Sequence, residues 1–315
     1  MQPVSSKILN EVKKAIVGKD DILKKILMAF ISEGHVLLED VPGTGKTTAA
    51  LAFSRALGLK YQRIQFTPDV LPSDIVGFSV YDKSTGTLSY KPGAVVTNLL
   101  LADEINRTSS KTQSALLEVM EERQATVDGK TYKLPTPFMV IATQNPIGAT
   151  GTQLLPEAQL DRFTVRLKMG YPNHKSGVEI LRDRQTVDPI QSVLTVSSPD
   201  EMLKMQSAAK QVEMNDELLN YVTTLAEESR KHPLVTLGIS PRGALAVCRM
   251  AKASALIENR SYVVPSDVEN VFIDVCAHRI LLTSKAKIND VDSARVLEEI
   301  LSAVPRPDAM PRKNS

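Results

Sequence analysis

The chain holds only two cysteines in 315 residues, Cys248 and Cys276. They lie far apart in apolar helical surroundings with no Cys-x-x-Cys spacing. A disulfide framework and a cysteine-built metal site are therefore excluded, and buried free thiols in a reducing compartment are expected. The four histidines, His35, His174, His232 and His278, are scattered, so each is read as a core or surface residue rather than a metal ligand. No run approaches the roughly 18–20 apolar residues needed to cross a bilayer. The opening stretch Met1-Gln2-Pro3-Val4-Ser5-Ser6-Lys7-Ile8 lacks the apolar core of a secretory signal, so a cytoplasmic location without membrane insertion is expected. Charge of one sign is not in excess: 38 Lys and Arg against 36 Asp and Glu leave a net charge of +2. The two signs are interspersed, which gives no electrostatic case for nucleic acid or an anionic membrane as the main partner. No internal repeat is found. What remains is an ordinary globular balance, 43% hydrophobic and 23% charged, in a length suited to one large domain or two modest ones.

The first part of the chain alternates short apolar runs with helical patterns. Residues 35–39, 63–66, 98–102, 138–142 and 163–167 read as strands, and three of them are nearly continuously apolar, as in a parallel sheet covered on both faces. Ile8, Leu9, Val12, Ala15 and Ile16 recur at helical spacing. So do Ala115, Leu116, Val119 and Met120, behind a capping-box pair at Ser110 and Gln113. A helix from Lys46 is expected to end at Gly58. Two hairpins interrupt this α/β pattern, at about 79–91 with Gly86 in its turn and at about 123–134 around Asp128-Gly129. Past Gly170-Tyr171-Pro172 only helices follow, with starts at Ser198-Pro199, Ser240-Pro241 and Ser266…Glu269. The expected organisation is an α/β core over 1–172, a small all-helical domain over 173–305, and a frayed tail over 306–315.

Chemistry concentrates at the ends of the strands. After the first comes Asp40-Val41-Pro42-Gly43-Thr44-Gly45-Lys46-Thr47. Gly45-Lys46-Thr47 matches the phosphate-binding loop pattern, with Asp40 where its first glycine should stand. Glycines there let successive N–H groups approach phosphate oxygens at a helix N-terminus. Lys46 would meet the β- and γ-phosphates and the Thr47 hydroxyl would ligate Mg²⁺. The third strand ends in Asp103-Glu104: one carboxylate for the metal, the next to polarise the attacking water. The fourth runs into Thr143-Gln144-Asn145-Pro146, where Asn145 could orient that water. These residues together describe nucleoside triphosphate hydrolysis. A cation for the transition state must come from elsewhere, and spacing alone leaves Arg162 and Arg242 equally open.

Taken together, these segments resemble the MoxR group of AAA+ ATPases over roughly residues 10–300. The resemblance is carried by residues 37–47, by Leu100-Leu101-Ala102-Asp103-Glu104-Ile105-Asn106-Arg107 with Lys111-Thr112-Gln113-Ser114, by residues 142–146 and 155–163, and by Ser240-Pro241-Arg242-Gly243-Ala244. Thr108-Ser109-Ser110 departs from the Ala-Pro-Pro common in the group. The resemblance implies an AAA+ P-loop core with a five-stranded parallel sheet and an α-helical lid. It implies ATP and Mg²⁺ as cofactors, with nucleotide held by Val17, Gly18, Pro42, Gly43, Thr44, Gly45, Lys46, Thr47, Thr48, Asp103 and Arg242, and the metal by Thr47 and Asp103. Lys19 replaces the more usual Gln beside Val17-Gly18. Lys46, Glu104, Asn145 and Arg162 are the implied catalytic residues. Asn145 takes the sensor-1 role, Arg162 the arginine finger offered to a neighbouring subunit, and Arg242 the sensor-2 role, contacting nucleotide from the lid. The resemblance further implies a hexameric ring, pore-facing hairpins, and remodelling or maturation of a client, including metal or cofactor insertion, with a von Willebrand factor A domain partner. Two other functions fit parts of this pattern. A nucleic-acid motor would need basic hairpins, but Glu121, Glu122, Asp82 and Asp128 offset the lysines and Arg123 there. A nucleotide-gated scaffold that does not hydrolyse is opposed by the intact Asp103-Glu104 pair.

Overall fold

A computed structural model of the chain describes residues 3–39, 43–84, 86–145, 155–183 and 188–308. Asp40, Val41 and Pro42 of the phosphate loop, Thr85 in the first hairpin, Pro146 and the tail residues 309–315 lie outside the described residues.

Two helices, α1 (Val4–Ala15) and α2 (Asp20–Ile31), precede the first strand, β1 (Val36–Glu39), and α3 (Lys46–Ala56). Next come β2 (Tyr61–Gln65), α4 (Pro72–Val76), and the hairpin of β3 (Gly77–Asp82) and β4 (Thr87–Pro92). Strand β5 (Leu99–Asp103) leads through a 3-10 turn to α5 (Ser110–Glu122), then to the hairpin of β6 (Gln124–Val127) and β7 (Lys130–Lys133). Strand β8 (Met139–Gln144), α6 (Glu157–Leu160) and β9 (Val165–Leu167) follow. The remainder is α7 (His174–Asp183), α8 (Pro199–Gln211), α9 (Asp216–Lys231), β10 (Val235–Leu237), α10 (Pro241–Ile257), α11 (Pro265–Cys276), β11 (Leu281–Leu282), α12 (Ser284–Ile288) and α13 (Ser293–Ala303).

The main sheet has the order β2-β5-β8-β1-β9, and every neighbouring pair is parallel. From β1 the chain crosses to the far edge, then steps back through β5 and β8 to lie beside β1 again. The continuous apolar runs of β1, β5 and β8 are explained by burial on both faces. Val36, Leu38, Leu99, Leu101, Met139 and Ile141 join a core with α1 to α3 on one side. Leu37, Leu100, Ala102, Val140 and Ala142 join a second core with α4 and α5 on the other. The period-2 alternation of side chains thus divides each strand between two cores.

The helical region docks on α2. The apolar cluster holding Leu23, Ile26 and Phe30 of α2 continues into Met202, Val247, Met250 and Phe272. Helix α2 packs on α8 and α10, and α11 on β9. A short antiparallel pairing of β10 with β11 is added to these helices. Ser198 and Ser240 cap α8 and α10, accepting from Glu201 N–H at 3.2 Å and Gly243 N–H at 3.1 Å. Two caps differ from expectation. Helix α5 is capped one residue earlier, by Ser109, which accepts from Thr112 N–H at 3.3 Å. Helix α11 starts at Pro265 rather than after Ser266, because Pro sets the first helical φ and Asp267 accepts the Val264 N–H at 2.9 Å. In the second hairpin Asp128 and Gly129 have φ of 49° and 74°, the two positive values a type I′ turn demands. The rings of Tyr90 and Tyr132 stack 3.9 Å apart, so the two hairpins lean on each other.

Candidate nucleotide site

Because β1, β5 and β8 are parallel neighbours, their carboxyl ends reach one edge of the sheet, where open α/β sheets bind ligands. A cleft of about 340 Å³ opens there, lined by Gly43, Gly45, Lys46, Thr47 and Thr48 on one side and Asp103, Glu104 and Asn145 on the other, with Arg63, Gln65 and Thr143. Gly43 and Gly45 have φ of 86° and 92°, left-handed values that turn the loop back toward the start of α3. Lys46 is buried at the first position of that helix. Val17 and Gly18, expected at the adenine, come close by: Ile16 abuts Gly45, and Gly18 abuts Ser176 at the start of α7.

The acidic pair is held in detail. Asp103 accepts from Thr143 Oγ1 at 2.6 Å and from Arg63 Nη2 at 2.6 Å and Nε at 3.2 Å. Thr143 Oγ1 in turn accepts the Glu104 N–H at 2.9 Å, joining the tips of β5 and β8. Glu104 sits at φ 58°, a left-handed conformation uncommon outside glycine, of the kind stored at functional sites. Its carboxylate accepts from Asn145 Nδ2 at 2.9 Å, Gln65 Nε2 at 3.0 Å and Arg107 Nη1 at 2.8 Å. Burial alone would raise its pKa, but the donors Arg107, Asn145 and Gln65 outweigh it and hold the carboxyl below its ordinary value. A carboxylate so held stays ionised and oriented.

Reading the sequence missed Arg63, Gln65 and Thr143. The signal was faint: Arg63 and Gln65 are two apart on a strand and so share a side. Their importance follows from β2 lying beside β5, with Gln65 paired to Asp103 in register.

Arg162 and Arg242 do not reach this cleft. They line a second one of about 410 Å³ with Glu33, Gly34, His35, Glu121, Arg123, Asp161, Thr164, Arg249 and Arg279. Arg242, expected to contact nucleotide from the lid, instead hydrogen-bonds Glu121, the same carboxylate that Arg162 meets at 3.3 Å. Gly34 and His35 precede β1 and Thr164 precedes β9, so this cleft lies at the amino ends of the strands. β1 alone spans about 13 Å between the two ends. Helix α5 runs the same course: from Ser110 to Glu121 it spans about 16 Å. Neither arginine can bridge that gap to its own phosphate loop, because the sheet stands between. The histidines do no visible chemistry. His35 is buried, its Nδ1 accepting Val140 N–H at 3.0 Å and its Nε2 lying 3.1 Å from the Met120 carbonyl, and burial lowers its pKa to about 4. Among the described residues no group of His, Cys, Asp and Glu could hold a metal ion by itself, and no helix is long and apolar enough to cross a membrane.

Comparison with known proteins agrees with this geometry. A family model for the ATPase family associated with various cellular activities matches residues 35–165, and one for the AAA lid domain matches residues 227–300. The Mycobacterium tuberculosis protein named Chaperone MoxR1 is 41% identical, over 96% of this chain and 83% of its own. The uncharacterized Bacillus subtilis protein YeaC is 43% identical over 98% of this chain and 96% of its own. The solved structure of a candidate ATPase from Cytophaga hutchinsonii superposes with a TM-score of 0.88 at 35% identity, covering 97% of this chain and 96% of that one. The two family models matched in this order, and 41% identity to a MoxR protein along almost the whole chain, make it a member of the MoxR family of AAA+ ATPases.

Proposed function

We propose that the chain binds and hydrolyses ATP, each site being completed by a neighbouring subunit, and that turnover drives the remodelling of a client protein. The observation that carries this reading is the Glu104 carboxylate, held by Asn145, Gln65 and Arg107 at the mouth of the cleft that the phosphate loop lines. In this reading Gly43, Thr44, Gly45 and Lys46 hold the phosphates, helped by Thr47 and Thr48, while Val17 and Gly18 flank the base. Pro42 belongs to the same loop by sequence. Thr47 and Asp103 offer the hard oxygen donors that suit Mg²⁺, and both line the cleft. The ion, when bound, would neutralise charge on the β- and γ-phosphate oxygens. Both Asp103 oxygens are already engaged by Thr143 and Arg63, so the ion would meet this carboxylate through water or displace Arg63.

Glu104 accepts a proton from water as the water oxygen forms the new bond to the γ-phosphorus. The bond from that phosphorus to the β–γ bridging oxygen breaks, and ADP and phosphate leave. Asn145 aims the carboxylate. Arg162 and Arg242, at the opposite end of the sheet, serve the site of the next subunit, which supports a closed ring, hexameric by family resemblance. A chaperone-like role is supported by the relative named Chaperone MoxR1. The von Willebrand factor A domain partner and metal or cofactor insertion are taken from the same resemblance, and residues 1–172 and 173–305 are assigned as core and lid. The test is ATPase activity per chain, with Mg²⁺, across a wide range of protein concentration, with sizing of the same samples. Activity per chain should rise with assembly; a monomer turning over at full rate would overturn the shared site.

A further inference from the structure

Among the other arginines that line this cleft, Arg279 has a different role. Arg279 follows α11 and belongs to the lid, and its side chain is 3% exposed. Its guanidinium reaches into the core segment that carries Arg162. Nε donates to Asp161 Oδ1 at 2.7 Å, Nη2 to the carbonyls of Phe163 at 2.6 Å and Asp161 at 3.2 Å, and Nη1 to that of Thr164 at 3.1 Å. Nη1 also donates to the Val275 carbonyl, which ties the guanidinium to its own helix. The residues on both sides of Arg162 are therefore held by one planar group. The preceding residue contributes too: His278 Nε2 lies 2.9 Å from the Phe163 carbonyl. Burial, aided by the neighbouring Arg279 charge, holds the His278 pKa well below its ordinary value. The ring is thus neutral, and since a carbonyl only accepts, Nε2 is the nitrogen that carries its hydrogen.

The same guanidinium bears on Arg242. Gly243 is the next residue, and a Cβ there would lie 3.0 Å from Arg279 Cδ, so the glycine lets α10 start directly over the Arg279 stem. Asp161, gripped by Arg279 Nε, is also 4.0 Å from Arg242 Nη1. Glu121 then closes the set between Arg242 and Arg162. Arg162 is from the core and Arg242 from the lid, and the group that touches the supports of both is Arg279.

We infer that Arg279 is the positioning residue that sets the finger Arg162 and the lid arginine Arg242 in one frame, so that lid and finger move as a unit toward the neighbour's γ-phosphate. It does not itself touch nucleotide. The inference rests on the reading that Arg162 serves a neighbouring subunit.

The experiment compares Arg279→Lys, which keeps the charge and loses the fork, with Arg162→Ala, each alone, combined, and co-expressed with Glu104→Gln subunits. Fluorescent ADP binding and thermal unfolding are followed in parallel. Arg279→Lys should lower kcat about 10- to 100-fold, as expected when a catalytic group is slightly misplaced, with ADP affinity unchanged. In the Arg162→Ala background it should cost clearly less than it does alone, because part of its effect passes through Arg162 and only the Arg242 part remains. Co-expression with Glu104→Gln subunits, whose arginines are intact, should restore activity above the sum of the two separate preparations. Losses that multiply in the double variant would overturn the inference. So would rescue of Arg162→Ala by Glu104→Gln subunits without rescue of Arg279→Lys. If Arg162→Ala itself is not rescued, the shared-site reading falls and takes this inference with it. Should Arg279→Lys fold poorly, Asp161→Asn, which weakens the same clamp from the other side, must give the same pattern.

Discussion

The two clefts of this chain are built in opposite ways. The phosphate cleft is formed at the carboxyl ends of parallel strands, and its residues come from the tips of those strands, the turns that follow them and the first turn of α3. Its partners are fixed by a sheet register in which Gln65 faces Asp103 and Glu39 faces Gln144. The arginine cleft, at the amino ends, has no such frame. Arg162 comes from the core, Arg242 and Arg279 from the lid, and they meet only because α2 and α11 dock the lid against the sheet. In the function proposed above, the first cleft binds nucleotide within one chain, and the second acts on the site of a neighbouring copy. Its rigidity must come from side chains, which is why carboxylates at Glu121 and Asp161 are shared among arginines there.

The largest way to break this comparison is Arg162→Ala. It should reduce kcat by about 10³-fold while leaving ADP affinity intact, since it removes a transition-state charge from a site on another chain. A loss of ADP binding in a sizing-controlled titration would instead place Arg162 beside its own nucleotide. Glu104→Gln should lower turnover by about 10²- to 10³-fold in steady-state assays and still bind ATP. Lys46→Ala, in the same cleft, should lose affinity in equilibrium titration, a contrast that separates the two functions of one pocket.

A smaller effect sharpens the electrostatics. Arg107→Ala removes one of the donors that hold Glu104 ionised, so the acid limb of the kcat–pH profile should move to higher pH. An unmoved limb would mean that another group titrates. The smallest expected change concerns stability. His35 is buried neutral with its pKa lowered to about 4, so the unfolded chain binds its proton first as pH falls. Its contribution is complete above about pH 6.5, the ordinary histidine value, and is lost on acidification toward pH 4. The melting temperature should decline over that window, and less so in a variant that replaces the ring with an apolar side chain of similar size.

Much of the phosphate cleft was legible because its chemistry is contiguous. Gly43-Thr44-Gly45-Lys46-Thr47 and Asp103-Glu104 each announce themselves within a few residues, at the ends of runs whose apolar continuity marks buried strands. Caps were legible where Ser precedes Pro, and misplaced by one residue where several serines compete, as at Ser109 and Ser110. Arg63 and Gln65 were not legible, since their meaning depends on which strand lies beside β2. The arginine cleft was legible only as a pair of candidates.

By itself, then, the order of residues determined the α/β core, the helical lid, the phosphate loop and the acidic strand tip, because each rests on local periodicity, turn chemistry or a short spacing. Tertiary structure alone decided that β1 lies between β8 and β9, that Gln65 reaches Glu104, and that Arg242 joins Arg162 at the far end of the sheet. These outcomes depend on which buried faces pack together across long stretches of chain. Burial is non-directional, and no local pattern encodes its partner.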